Sequence, residues 1–172
     1  MISRLMPTEP RRRRPVTHIQ VSSRVSSQPG GVHKMGVIRT GDTRLAEHMA
    51  TPLGPARSEP WSFDGFVRDV TVNGDWVGEQ VGLLGNLTAT NLQRQYPTAP
   101  VGSFMTAYPA PKSGEATPPR ISNLNILEGE TVPNLALLGY GGGADDPHQL
   151  QFYNRAGYVD YLLDVYAVVL DD

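Results

Sequence analysis

The stretch Ser122-Asn123-Leu124-Asn125-Ile126-Leu127-Glu128-Gly129-Glu130-Thr131-Val132-Pro133-Asn134-Leu135 decides the fold class of this chain. It has the form of two short strands joined by a glycine-containing turn, because Leu124 and Ile126 alternate with asparagines before the glycine and Val132 and Leu135 flank a Pro-Asn pair after it. Asparagine is a poor strand former, so we expect the amides of Asn123, Asn125 and Asn134 to satisfy irregular backbone. Such a pattern indicates a structural role, because its residues do not have the spacing of catalytic acids and bases or of ligand-binding groups.

The composition agrees with this interpretation. The chain has 172 residues, of which 39% are hydrophobic and 19% charged, with 18 Gly, 15 Pro and no Cys. Many turns and few charges predict an all-β fold, a β-sandwich or jelly-roll-like domain. The lack of cysteine excludes disulfides, thiolate metal sites and a Cys nucleophile. No apolar run approaches the ~20 residues that cross a bilayer, so we predict no membrane insertion.

The charge is divided unevenly along the chain. Residues 1–44 hold nine Lys/Arg against two Asp/Glu, a charge of +7, whereas the remainder holds six against fifteen, a charge of −9. Pro7, Pro10 and Pro15 forbid a regular helix at the start. We therefore predict a basic extended arm over residues 1–32 and a β-sandwich domain over residues 33–172.

Alternation and turn residues predict eight to ten strands and little helix. The expected strands are His18–Val25, Met35–Ile38, Phe63–Val72, Val81–Ala89, Val101–Tyr108, the two in the opening stretch, His148–Asn154 and Tyr158–Leu170. Residues 45–60 are expected to form a surface connection with one helical turn, and Gly139–Pro147 a loop. Asn73-Gly74 is a hairpin turn signal.

Several short motifs follow one another along the chain. They are Arg39–Arg44, Asn86–Asn91, Gly102–Pro109, Ser122–Ile126 with Gly129–Leu135, and Asp160–Val165. In this order they resemble a β-rich domain that recurs in secreted and surface proteins of actinobacteria and in their phages. The chain departs from that pattern at Val168-Val169, where an aromatic pair is usual, and at Gly141–Pro147, where a short Gly turn is widened. The resemblance implies a sandwich module with a binding or structural role and no general catalytic constellation.

Within these phrases, Arg39, Asp42, Arg44, Asn86, Asp160 and Asp164 join the three asparagines as structural motif residues. Asp160 and Asp164 share one strand face at roughly 13 Å, too far apart to act alone as a glycosidase carboxylate pair. We expect both to cap backbone or to pair with arginines. Asp42 is expected to form a turn held by an arginine.

No cofactor or metal is predicted. Asp145, Asp146 and His148 could approach a cation, but Ca²⁺ prefers six to eight oxygens, so a solvated hairpin end is the favoured interpretation. The chain has no Gly-x-Ser-x-Gly elbow, P-loop or Rossmann glycine pattern. We therefore expect a protein that is not an enzyme, the alternative requiring a convergent set of titratable groups.

Arg11, Arg12, Arg13 and Arg14 are the predicted partner-binding residues. An arm this polar and proline-rich rarely orders by itself, so we expect it to lie against another protein. It has no aromatic side chain to stack on bases, so sequence-specific nucleic-acid recognition is not expected. The N-terminus also lacks the apolar core of a secretory signal, which favours a protein not exported by that route.

Two functional hypotheses follow. The first is a structural protein of an actinobacteriophage virion, a head-decoration or minor tail or tail-tip protein, binding other virion proteins and self-associating, with a trimer expected by analogy alone. The second is a cell-wall or glycan-binding module of a surface or secreted protein, recognising host envelope glycan. Its stacking candidates are Tyr96, Tyr108, Tyr153, Tyr158 and Trp76.

Overall fold

The protein is seen in a computed structural model that describes residues 31–45, 51–63, 69–72, 75–115 and 117–171. Across these ranges the chain forms ten strands and no helix. They are β1 (Gly31–Asp42), β2 (Arg57–Ser62), β3 (Asp69–Val72), β4 (Asp75–Gln93), β5 (Gly102–Pro109), β6 (Leu124–Leu127), β7 (Val132–Gly139), β8 (Gly141–Gly143), β9 (Asp146–Asn154) and β10 (Tyr158–Leu170). The predicted all-β fold class is confirmed.

The strands form two antiparallel sheets that pack face to face as a sandwich-like fold. Sheet 1 has the order β1-β10-β4-β3, with β7 also paired to β4. Sheet 2 has the order β2-β9-β5-β6, with β8 also paired to β9. Inward-facing side chains alternate along β4 and β10, as period-2 strands require, and they fill the space between the sheets.

The stretch that decides the fold class forms the two predicted strands, and these strands belong to different sheets. Leu124 of β6 lies opposite Met105 of β5, whereas Val132 of β7 lies opposite Ala89 of β4. The turn between them therefore carries the chain from one layer to the other. Its tight bend is made by Gly129 at φ 84°, a conformation that favours glycine.

Two expectations about connections are wrong. Arg57–Ser62 is strand β2 rather than part of a surface connection, because Trp61 enters the core and the strand pairs with β9. Gly141–Gly143 is strand β8 rather than loop. It forms by antiparallel pairing with β9, with Gly141 opposite Gln149. The Gly142 amide also donates to the Ala110 carbonyl at 2.9 Å, and Gly141 packs so closely there that a Cβ would lie 2.2 Å from the same oxygen.

Other predicted segments are longer, shorter or outside the described residues. Met35–Ile38 is the middle of the longer strand β1, and the C-terminal end of Phe63–Val72 is strand β3. Residues 1–30 of the predicted arm, including the strand predicted at His18–Val25, lie outside the described residues, whereas Gly31 and Val32 begin β1 by pairing with Leu170 and Val169. Most of the helical turn in 45–50 and the Asn73-Gly74 turn also lie outside the described residues.

An aromatic trio joins the two sheets at the centre of the core. Trp61 of β2 packs with its ring centroid 5.0 Å from that of Phe152 in β9 and 5.1 Å from that of Tyr161 in β10. Gly41 of β1 lies flat against the indole, where a Cβ would fall 1.4 Å from a ring carbon. Glycine at this position therefore lets β1 approach the core.

Candidate functional site

The end of β1 is closed by a buried carboxylate. Asp42 is only 1% exposed, and its Oδ1 accepts hydrogen bonds from the Arg44 amide at 3.0 Å and the Arg44 Nε at 2.8 Å. Oδ2 accepts from Arg44 Nη2 at 2.7 Å and lies 3.5 Å from Arg39 Nη1. The hydrogen bond from the Arg44 guanidinium holds the pKa of Asp42 below its usual value, so the group is a carboxylate at neutral pH.

A second ion pair crosses from β1 to β10. Arg39 lies opposite Asp164 in the strand register, and its Nε and Nη2 donate to the two carboxylate oxygens at 2.7 and 2.9 Å. Asp164 alternates with the buried Leu163 and Val165, so it faces away from sheet 2. This fork-to-fork geometry fixes the position of both side chains.

Asp160 lies on the same outer face, four residues before Asp164 in β10, and interacts electrostatically with the Arg44 guanidinium. Its Oδ1 accepts from Thr43 Oγ1 at 2.9 Å and its Oδ2 from Asn91 Nδ2 at 3.0 Å. The Thr43 hydroxyl also accepts from the Tyr161 amide at 2.9 Å. The contact joins the chain after β1 to β10 and β4.

Two neighbouring hydrogen-bonded groups lie at this end of the sheet, and we call them together the outer polar cluster: Arg39, Asp42, Arg44 and Asp164 in one group, and Thr43, Asn91 and Asp160 in the other. All six carboxylate oxygens of its three aspartates accept hydrogen bonds from neighbouring side chains or backbone. The cluster is therefore built to fasten β1 onto β10 and β4. Thr43 and Asn91 were not chosen from the sequence, although both lie inside the quoted phrases, and Asn91 adopts a positive φ of 54°.

The asparagines of the deciding stretch have distinct roles. Asn123 Oδ1 accepts the Ala107 amide of β5 at 2.7 Å, and Asn134 Nδ2 donates to the Asn123 carbonyl at 2.7 Å. These contacts hold the entry to β6 against β5 and β7. Asn125 is exposed, and Asn86 on the outer face donates to Thr88 Oγ1 at 3.1 Å.

The widened glycine turn does not gather a metal site. Asp146 accepts from Ser62 Oγ at 2.8 Å and from Gln149 Nε2 at 2.7 Å. His148 is buried edge-on against Tyr140, with Nε2 3.9 Å from a Glu79 carboxylate oxygen. In the part of the chain that the structure describes, no three His, Asp or Glu side chains group as metal ligands.

The outer face of sheet 2 carries an open groove of about 640 Å³. The hydroxyl of Thr106 donates to the Ile121 carbonyl, which holds the chain before β6 over this face. Phe104 and Tyr153 lie with ring centroids 6.0 Å apart beneath it. We call this the sheet-2 groove; its lining residues are Phe104, Pro118, Pro119, Arg120, Ile121, Ser122, Tyr153 and Arg155.

The sheet-2 groove combines aromatic and cationic side chains. Arg120 and Arg155 are exposed and form no ion pair with the described residues. Of the stacking candidates predicted from sequence, Tyr153 lies here, whereas Tyr108 binds Ser58 Oγ at 3.1 Å and Tyr96 and Tyr158 are exposed elsewhere. Nothing in the sequence marked Phe104 or Arg155, because only the fold brings β5 and the end of β9 together.

Comparison of the chain with protein-family models, with curated proteins and with solved structures finds no match. Among the described residues there is no helix long and apolar enough to cross a bilayer. Arg11, Arg12, Arg13 and Arg14 lie outside the described residues.

Proposed function

We propose that this protein is a non-enzymatic structural component of an actinobacteriophage virion, either a head-decoration protein or a minor tail or tail-tip protein. The outer polar cluster carries the proposal, because every carboxylate oxygen of its aspartates accepts a hydrogen bond that holds the strands or the chain between them together. A catalytic acid, base or nucleophile needs an atom directed at a substrate. The residues marked by the sequence instead stiffen a sheet.

The virion setting is supported by the resemblance and by the charge division of the chain. The arm over residues 1–32 carries a charge of +5 and the remainder a charge of −7, and these opposite charges attract each other between neighbouring copies or neighbouring subunits of an assembly. Opposite potentials of this kind favour encounter and select the partner. The arm anchors the protein, and the sandwich is presented outward.

Mass spectrometry of purified particles tests the proposal, and absence of this chain from them would refute it. Replacing Arg11, Arg12, Arg13 and Arg14 with Ser should abolish incorporation while the circular dichroism and thermal midpoint of the protein stay unchanged. The matched control replaces the same four residues with Lys, which keeps the charge and should preserve incorporation. Equal incorporation of all three forms would show that the arm does not anchor the protein.

A second function, binding of envelope glycan, is favoured by the sheet-2 groove. Aromatic rings offer stacking faces to sugars, and arginines bind carboxylate or phosphate substituents. Phe104→Ala and Arg155→Ala in the full chain should each weaken binding to purified envelope polysaccharide, measured by calorimetry. Tyr96→Ala changes a 54% exposed aromatic residue outside the groove and should leave binding unchanged. Equal loss in all three variants would exclude the groove as the site.

A further inference from the structure

The exposed strand edges of the two sheets are not equally protected. β1 carries Lys34 and two register shifts, β2 carries Arg57 and Pro60, and β6 has only four residues. β7 has the sequence VPNLALLG, with eight residues, no charge and no register shift against β4. Charges, irregularities and short length are the usual protections of a strand edge against further pairing. Within the described chain, β7 is the longest regular edge that lacks a charged residue.

The direction of the β7 backbone groups follows from one hydrogen bond. The Tyr140 amide donates to the Val81 carbonyl at 2.8 Å, which continues the ladder beyond the Gly82–Gly139 pair. Because hydrogen-bonded and non-bonded pairs alternate in an antiparallel ladder, Leu135, Leu137 and Gly139 direct their N–H and C=O groups away from β4. Pro133 has the same parity, so its missing N–H costs β4 no bond.

The side chains of this edge are apolar and exposed. Leu135 is 60% exposed and Leu137 66% exposed, both on the outer face of sheet 1. The edge therefore offers a row of backbone donors and acceptors beside two leucines, which is the arrangement that accepts an added strand.

We propose that His18–Val25 of a second copy adds to β7 as an antiparallel strand, a proposal that rests on the arm-anchored role given above. This segment has eight residues, as β7 has, and its Ile19, Val21 and Val25 alternate with polar residues. One of its faces can therefore cover Leu135 and Leu137 while its backbone pairs with the outward groups of β7.

Charge supports the antiparallel direction. In that direction the residues before His18 pass the Gly139 end of β7, where Asp69 lies opposite Glu79 and the Asp171 amide binds the Glu79 carbonyl. Three acidic residues thus occupy one row across neighbouring strands. Arg11–Arg14, only three residues before His18, would reach this row.

Chain length requires that the strand come from another copy. Val32, Val169, Gly82 and Gly139 share one row, so β1 starts at the same end of the sheet as β7 finishes. With Val21 opposite Leu137, antiparallel addition places Val25 opposite Pro133, seven residues or ~24 Å along the sheet from the row of Gly31. The six steps from Val25 to Gly31 span at most ~21 Å, so the same chain cannot make this connection.

Cross-linking tests this proposal cleanly, because the chain has no cysteine. Full-length Val21→Cys and Leu137→Cys proteins are mixed and oxidised, and the covalent heterodimer is measured by mass spectrometry. The matched control pairs Val21→Cys with Val37→Cys, since Val37 lies on β1 and is 64% exposed. Ile19→Cys and Leu135→Cys extend the test to the neighbouring register, because a disulfide tolerates only short Cα separations.

We expect a several-fold excess of heterodimer with either β7 cysteine over the Val37 control. An equal yield from the control, a dominant Leu137–Leu137 product, or an intramolecular bond in the Val21→Cys/Leu137→Cys double variant would overturn the proposal. An equal yield from the control would mean that no strand is added to β7. A dominant Leu137–Leu137 product would mean that β7 pairs with β7 of another copy, and an intramolecular bond would mean that the added strand comes from the same chain. Particle mass spectrometry separates this failure from failure of the proposed function, because a chain present in particles without the cross-link refutes strand addition alone.

Discussion

The edge strands β1 and β7 of sheet 1 differ in their side-chain contacts and in the regularity of their backbone pairing. β1 is fastened by the outer polar cluster, held against Trp61 at Gly41, and interrupted by two register shifts. β7 is a regular apolar strand with outward backbone groups and exposed leucines. In sheet 1, the charged hydrogen-bonding side chains of the outer polar cluster hold β1, whereas β7 at the opposite edge has the apolar side chains and outward backbone groups that suit the addition of a further strand.

The difference has an energetic basis. Asp42 is buried, and a buried carboxylate is tolerated only when its lone pairs are satisfied, which makes the β1 arrangement sensitive to the loss of one partner. Leu135 and Leu137 are exposed, so their replacement leaves no cavity and no unpaired group. Changes at β1 should therefore act on folding, and changes at β7 on association.

The largest effect is expected at Gly41. Gly41→Ala places a Cβ within the Trp61 ring and forces β1 away from the core, which should lower the free energy of unfolding by about 3 kcal/mol. Urea denaturation measures the loss. Gly36→Ala, also in β1, adds a Cβ with no atom within 4 Å and serves as the control, with a change within ~0.5 kcal/mol. Equal losses would show that the contact with Trp61 does not hold the strand.

Asp42→Asn should have the next largest effect. It removes the charge that accepts three hydrogen bonds from Arg44 and should lower the free energy of unfolding by about 2 kcal/mol. Asp145→Asn, on the exposed turn before β9, is the matched control and should be neutral. A neutral Asp42→Asn variant would contradict the fastening role of the cluster.

The pH dependence of that effect has a defined sign. Because the folded pKa of Asp42 lies below its unfolded value, its stabilisation is complete above the unfolded carboxyl pKa of about 4 and is lost as pH falls through the folded pKa. Glu59 acts in the opposite sense, since burial raises its pKa and its ionisation disfavours folding. Urea denaturation from pH 7 to pH 3 should show the difference between wild type and Asp42→Asn shrinking with acidity. A constant difference would contradict this assignment.

The smallest effect on stability is expected at β7. Leu137→Lys adds a charge to an exposed edge position and should change the free energy of unfolding by less than ~0.5 kcal/mol. It should nevertheless reduce self-association in sedimentation velocity, because a lysine on an edge opposes strand addition. Val37→Lys on β1 is the control and should not alter association. Equal sedimentation of Leu137→Lys and wild type would contradict the difference between the two edges, because it would show that β7 does not mediate self-association.

Much of the strand content could be predicted from local pattern. Leu87 and Ala89 alternate with Asn86, Thr88 and Thr90, and both are buried in β4 as the alternation indicates. The contacts of Asp160 could not be predicted, because Thr43 and Asn91 lie 117 and 69 residues away along the chain. Strand β2 (Arg57–Ser62) could not be predicted for the same reason, since only pairing with β9 makes that Pro-containing segment a strand.

The sequence by itself therefore determined the all-β class, the inward face of the central strands and the tight turn at Gly129, because side-chain alternation and glycine conformations are local properties. Tertiary structure alone decided that β6 and β7, like β9 and β10, follow each other in the chain yet lie in opposite sheets. It also decided which strand was left as an unprotected edge. The physical reason is that a strand's backbone pairs equally well with many partners, so the partner is chosen by how all the apolar faces can be buried together.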